Sequence, residues 1–305
     1  MDETGGSRAK IQDYVRLLVK EHRPLQAFAT YFGRGLIQHD PDIGDGDDGD
    51  EAFLQERQDA DPETYLPTEQ YATVVHNILA DRDLVCMKSH VFTGREDAGR
   101  VFVDIWRVEN GRFAEHWSAI EPISRGVAGS LPMWGGMGGT YEEAAAAGDT
   151  ASAPVCGTPG DGSQRLPSLA VVRAWLDAIQ DPAGIADAAE RYIAEDFKDY
   201  SPRVAPGRKG LVDHLTAISG RGETFREARL LADGNFVLFH GRAMTPDHAL
   251  GYSQMHLFRV ADGKIAAHWG VRQAIPTYSV AGRSMVEGPL EEGRRKGKPD
   301  HPVKH

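Results

Sequence analysis

The chain has 305 residues, enough for two ordinary domains, and a composition of 41% hydrophobic and 26% charged residues suits a globular protein that buries a core. Its 45 acidic against 34 basic side chains leave a formal charge of -11, which repels phosphate backbones and anionic lipid, so nucleic-acid and membrane partners are disfavoured. Two cysteines, Cys86 and Cys156, cannot build a disulfide framework or a thiolate zinc site; with no signal-peptide pattern in MDETGGSRAK and no apolar run of about 18 residues, the expected location is the cytoplasm.

In chain order, Ile11, Tyr14, Val15, Leu18, Leu25, Phe28 and Phe32 recur at helical spacing, with a break expected before Pro24. A short helix is expected at 51–58. LVCMKSHVF, GRVFVDIWRV and RFAEHWSAI then read as strands, the last two joined at Asn110-Gly111, a pair that tolerates the positive φ of a hairpin turn.

Residues 125–165 are rich in Gly, Ala, Ser and Pro and read as a linker, mobile through 142–164. Met133, Trp134 and Met137 are unusual there; they either tack the linker to a domain surface or form a flap over a pocket.

The plan then repeats. Helices are expected from Ser168 through Ile179, over 185–197 and over 210–219; the strands FVLFHGRAM, YSQMHLFRV and KIAAHWGVR follow, with Asp262-Gly263 at the turn. An offset of 152 places Asp83 on Asn235, Arg107 on Arg259, Gly111 on Gly263, His116 on His268 and Trp117 on Trp269 without a gap. IQHDP at 37–41 aligns with KDYSP at 198–202 at an offset of 161, the difference falling in a longer connection around 59–70. The expected organisation is a first domain over 1–124, the linker, a second domain over 166–280 and a basic, frayed tail over 281–305. Helices first and antiparallel strands afterwards make each domain α+β.

The helical first half, IQHDP, VDIWRV, the Asn-Gly turn and EHW together resemble the SnoaL-like (polyketide cyclase-like) branch of the NTF2-like superfamily, in both copies. The resemblance implies two tandem cone-shaped barrels, helices packed on a curved antiparallel sheet around a pocket, pairing as an intramolecular pseudo-dimer. It also implies cofactor-free acid–base chemistry on a hydrophobic, carbonyl-containing small molecule: cyclisation, isomerisation or dehydration; from the residues themselves, no metal site is expected. A non-catalytic binding or assembly role is the alternative.

Alternation along the strands groups candidate residues. Lys88 and His90 share a face of their strand, as do Asp104 and Trp106 of the next and His116 and Ser118 of the last; the expected N-terminal pocket gathers these with His39. Asp104 would orient or charge an imidazole whose ordinary pKa of ~6.5 lets it move a proton. His39, His90, Asp104 and His116 are the catalytic candidates, and Lys88, Trp106 and Ser118 the ligand-binding ones. In the second copy the matching columns hold Tyr200, His240, Arg242, His256 and His268, with Arg272 on the face of His268: a basic lining without a carboxylate, suited to an anionic ligand. In the cyclases that the chain resembles, the position after His-Trp is an acid–base aspartate; here it holds Ser118 and Gly270. The acidic stretch 40–51, with Asp40 and Asp42, departs from a calcium loop and reads as a solvated turn.

Overall fold

The computed structural model describes residues 3–46, 72–95, 98–124, 126–135, 139–146 and 162–298. The short helix expected at 51–58, Met137 and Cys156 lie outside them, as does the side chain of Leu25.

The N-terminal half opens with α1 (Glu3–Val15), a wide π turn (Arg16–Lys20) and α2 (Pro24–Tyr31). The expected break is at His22, whose φ is 52°, and Pro24 then starts α2, where a missing N–H costs nothing. Phe32 does not continue that helix: it begins β1 (Phe32–Gln38), followed by β2 (Ala72–Asp81), β3 (Leu84–Phe92), β4 (Arg100–Glu109) and β5 (Arg112–Pro122). The sheet order is β1-β5-β4-β3-β2, antiparallel except that β1 runs parallel to β5.

After α3 (Tyr141–Ala146) the C-terminal half repeats the scheme with α4 (Arg165–Ala178), α5 (Ile185–Tyr192), β6 (Ile193–Asp199), α6 (Gly207–Gly220), β7 (Thr224–Asp233), β8 (Phe236–Thr245), β9 (His248–Ala261) and β10 (Lys264–Ala274). Its order is β6-β10-β9-β8-β7, with β6 parallel to β10. The helix expected over 185–197 stops at Tyr192, and its remainder is strand β6. Both hairpins turn through positive φ at Asn110-Gly111 and Asp262-Gly263. The register slips at matching places, between Val75 and Asn77 as between Glu227 and Arg229, and each bulge bends its strand and curves the sheet.

Each sheet has two buried faces. The concave one packs on its own helices: Tyr14, Phe32, Trp106 and Phe113 lead the N-terminal cluster, and Trp175, Phe197, Phe239 and Phe258 the C-terminal one. The other faces meet back to back in one core that includes Leu79, Val103, Trp117, Leu238, Leu257 and Trp269. The junction is reciprocal. Ala80 N–H donates to Asp233 at 2.8 Å and Ala232 N–H to Asp81 at 2.9 Å; Arg8 pairs with Asp233, and Arg165 with Asp81. At the far end Ile120 N–H donates to Gln273 at 2.9 Å and Arg272 N–H to Glu121 at 2.7 Å.

The linker is tacked down where it is described: Met133 is buried in the shared core, and Trp134 accepts a hydrogen bond from Lys88 at its carbonyl. The tail expected to fray over 281–305 is instead packed through 281–298, the part that is described. Met285 and Val286 are buried beside Leu250 and Ile275 of the C-terminal half, Arg294 and Glu291 form a buried ion pair, and Arg283 donates to Asp45 of the N-terminal half, so the segment touches both. Its apolar residues lie ahead of the basic run at 293–305 and anchor the segment. Among the described residues no helix is long and apolar enough to cross a membrane.

Candidate functional site

The two concave faces each hold a histidine between polar partners, and the parallel first strand supplies one of them. Gln38 stands beside His116, and Asp199 beside His268, in equivalent register.

In the C-terminal half, Asp199 Oδ2 lies 3.0 Å from His268 Nδ1, and His268 Nε2 lies 2.8 Å from His256 Nδ1. The other oxygen of Asp199 accepts Ser201 N–H at 2.7 Å. This chain of three groups ends at a cavity of about 900 Å³, counted out to the solvent at its mouth. Trp175, Phe197, Leu211, Phe225 and Phe239 give it apolar walls, and His214, Gln254, Arg203, Arg272 and Glu223 are among its other polar groups. Such a mostly apolar hollow with a few convergent polar groups is the usual form of a small-molecule site. Burial, then the neighbouring His268 and Arg203, hold the His256 imidazole well below its ordinary pKa; burial and Arg203 lower His214 too. Both are therefore neutral near pH 7.

In the N-terminal half the partners change ends. Gln38 Oε1 lies 2.8 Å from His116 Nδ1 and also accepts Asp40 N–H at 3.1 Å, a donor that fixes which end of the amide is oxygen. The carboxylate is on the other ring nitrogen: Asp104 Oδ1 lies 3.2 Å from His116 Nε2. Trp106 stacks on the His116 ring at 5.0 Å. Ser118 O–H donates to Asp40 Oδ2 at 2.6 Å, so the serine after His-Trp borrows a carboxylate from the segment following β1. Burial, then Asp42, push the Asp40 carboxyl up from its ordinary value.

Register decides which sequence candidates converge. Met87 pairs with Asp104, so Lys88 pairs with Val103 and His90 with Val101 on the opposite face, against the expectation that they share the pocket with Asp104. Lys88 donates to Trp134 O at 3.0 Å and sits 5.8 Å from the Trp269 ring of the other half; His90 stacks on Trp134 at 5.1 Å. His39 is also on that side, stacked on Trp117 at 4.9 Å, with Nε2 donating to Glu115 at 2.9 Å. Its counterpart Tyr200 stacks on Trp269 at 4.9 Å. His240 and Arg242 lie in register with Met255 and Ser253, away from His256; His240 contacts Arg229 and Ser253, and Arg242 donates to Leu250 O at 2.7 Å. The second copy's lining is thus not basic and carboxylate-free. Its imidazoles are His214, His256 and His268, and its carboxylate is Glu223, with Asp199 behind His268.

Asp40 and Asp199 are the residues that sequence reasoning missed. The signal was present in the aligned segments IQHDP and KDYSP, where an amide column, Gln38, faces a carboxylate, Asp199.

Residues 172–268 match the SnoaL-like domain family. A comparison with curated proteins finds no match. Among solved structures, an NTF2-like protein of unknown function from Mesorhizobium loti is similar, with 23% identity over 38% of this chain and 96% of its own, and a TM-score of 0.32. An LEH-like epoxide hydrolase of M. tuberculosis is 20% identical over 36% of this chain and 84% of its own, with a TM-score of 0.30. An NTF2-like protein of unknown function from Cytophaga hutchinsonii is 13% identical over 35% and 89%, with a TM-score of 0.31.

Proposed function

We propose that the chain is two tandem SnoaL-like units joined as an intramolecular pseudo-dimer, and that its C-terminal cavity performs cofactor-independent proton transfer on a hydrophobic, carbonyl-containing small molecule. The observation that carries this reading is the run Asp199–His268–His256, a buried carboxylate connected through two imidazoles to an apolar hollow.

The chemistry follows from donor and acceptor counting. His256 Nδ1 is engaged by His268, so Nε2 is the nitrogen left for a ligand. It would take a proton from the carbon next to a carbonyl; the C–H pair moves into the enolate, and the charge gained by His256 is steadied through His268 by Asp199. Arg272 on the same cavity, 3.3 Å from Glu223, would lie near the developing oxyanion. Return of the proton to a different atom gives isomerisation, and loss of a leaving group gives dehydration. The N-terminal cluster of Asp40, Asp104, His116 and Ser118 has acid–base groups too, but the open hollow favours the C-terminal half.

The test is exchange of the α-protons of 2-tetralone in D2O, followed by proton NMR. The intact chain should accelerate exchange about 10²-fold more than the His256→Gln variant. Equal rates for the two proteins would exclude the acid–base reading and leave a binding role.

A further inference from the structure

Resting on the reading that the C-terminal cavity handles a proton, we propose that this cavity selects ligands that present a hydrogen-bond donor, such as phenols, enols and acidic N–H heterocycles. Asp199 sets this polarity, and Gly270 leaves the space that the paired rings need.

The polarity is fixed three groups deep. A carboxylate only accepts, and both oxygens of Asp199 face donors, Ser201 N–H at 2.7 Å and His268 Nδ1 at 3.0 Å. His268 therefore carries its proton on Nδ1 and offers a lone pair at Nε2. That lone pair takes the proton of His256 Nδ1 across 2.8 Å. The remaining nitrogen of His256, Nε2, is then a bare acceptor. A second proton on this ring is opposed by burial and by His268, Arg203 and Arg272. A ligand that turns a carbonyl or ether oxygen to this nitrogen meets a lone pair, and one that turns O–H or N–H to it completes the chain.

Gly270 makes the arrangement fit. It pairs directly with His256 across β9 and β10. A Cβ at this position would stand 3.1 Å from His256 Nδ1, 3.3 Å from its Cε1 and 3.3 Å from His268 Cε1. One methyl group would therefore press on both rings beside the hydrogen bond that joins them. The backbone there is not left-handed, so the glycine serves space and not φ. The N-terminal half shows the converse: Ser118 occupies the equivalent position, and across from it stands the shorter Asp104, which faces His116 with an acceptor. The residue after His-Trp and the one paired with it are thus set together, Ser with Asp or Gly with His.

The experiment compares 2-naphthol with 2-methoxynaphthalene, which has nearly the same shape but no donor, by calorimetric titration of the full chain and of Gly270→Ala. The wild-type protein should bind the naphthol about tenfold more tightly, the worth of one hydrogen bond, and the variant should bind both within about twofold. Equal wild-type affinities, no binding of either compound, or a preference retained in Gly270→Ala would each overturn the proposal. Should Gly270→Ala not fold, nitrogen-15 NMR of the wild-type imidazoles decides: His256 should carry its proton on Nδ1, and a proton on Nε2 overturns the polarity. The tetralone exchange rate is independent of these readings, so failure here with His256-dependent exchange intact removes the ligand class and not the acid–base function.

Discussion

The concave faces of the two halves hold the same histidine in the same register, His116 and His268, and differ in where the carboxylate stands. In the C-terminal half it is at the sealed end, on β6, and the imidazoles relay toward open space. In the N-terminal half an amide takes the sealed end and the carboxylate of Asp104 lies on the far nitrogen. Acceptors stand on both sides of His116, whereas His268 has a carboxylate on one side and an imidazole on the other. Two side-chain exchanges, Gln38 for Asp199 and Asp104 for His256, reverse the direction in which protons are offered, while the strands that hold them do not change.

The largest effect that can break this contrast is expected at Asp199. Asp199→Asn keeps the shape but can turn an N–H toward His268 and select the wrong tautomer, so exchange of 2-tetralone should fall by up to about 10²-fold, the whole of the His256-dependent rate. The same assay on Gln38→Ala should be unchanged. A similar loss from both variants would mean that the halves act as one site. Next in size are the reciprocal junction contacts. Asp81→Ala and Asp233→Ala each strand a buried backbone N–H and an arginine and should cost about 1 to 3 kcal/mol in urea unfolding. Matching losses sharpen the equivalence of the halves; a loss from only one shows that the two ends of the junction differ.

The smallest effect separates the halves by pH. His240 and His256 are held neutral by burial, their pKa values well below the ordinary ~6.5. The unfolded chain therefore binds protons that the folded half refuses, and stability is lost as pH falls below about 6.5. In the N-terminal half His76 acts in the same direction. Asp40, raised by burial, acts in the opposite one: it takes up a proton in the folded state before it would unfolded, which relieves strain on acidification. Hydrogen exchange between pH 7.5 and 5.5 should show β8 and β9 losing protection before β3 and β4. The reverse order would contradict these environments.

The sequence revealed the repeated hairpins, because Asn110-Gly111 and Asp262-Gly263 are local signals and the offset of 152 needs no tertiary knowledge. It concealed β1 and β6, whose partners lie far along the chain; their short runs carry no strict alternation and read as helix ends. Alternation also located the faces within a strand correctly, Lys88 with His90 and Asp104 with Trp106. It could not say which face of one strand continues which face of the next, since that depends on Asp104 pairing with Met87 and not with Lys88. Half of the expected site went to the inter-half junction for that reason. Asp40 and Asp199 were hidden because a carboxylate in a turn looks solvated until a neighbouring strand covers it.

The reciprocal junction has an evolutionary corollary. An assembly of two identical subunits must spell its two hollows alike, so any mutation that suits one is imposed on its mirror. Once both lobes are written in a single reading frame, the columns at 104 and 118 can drift apart from those at 256 and 270 without disturbing the shared seam. Divergent proton polarity then becomes an inheritable trait of a body that otherwise keeps its symmetry.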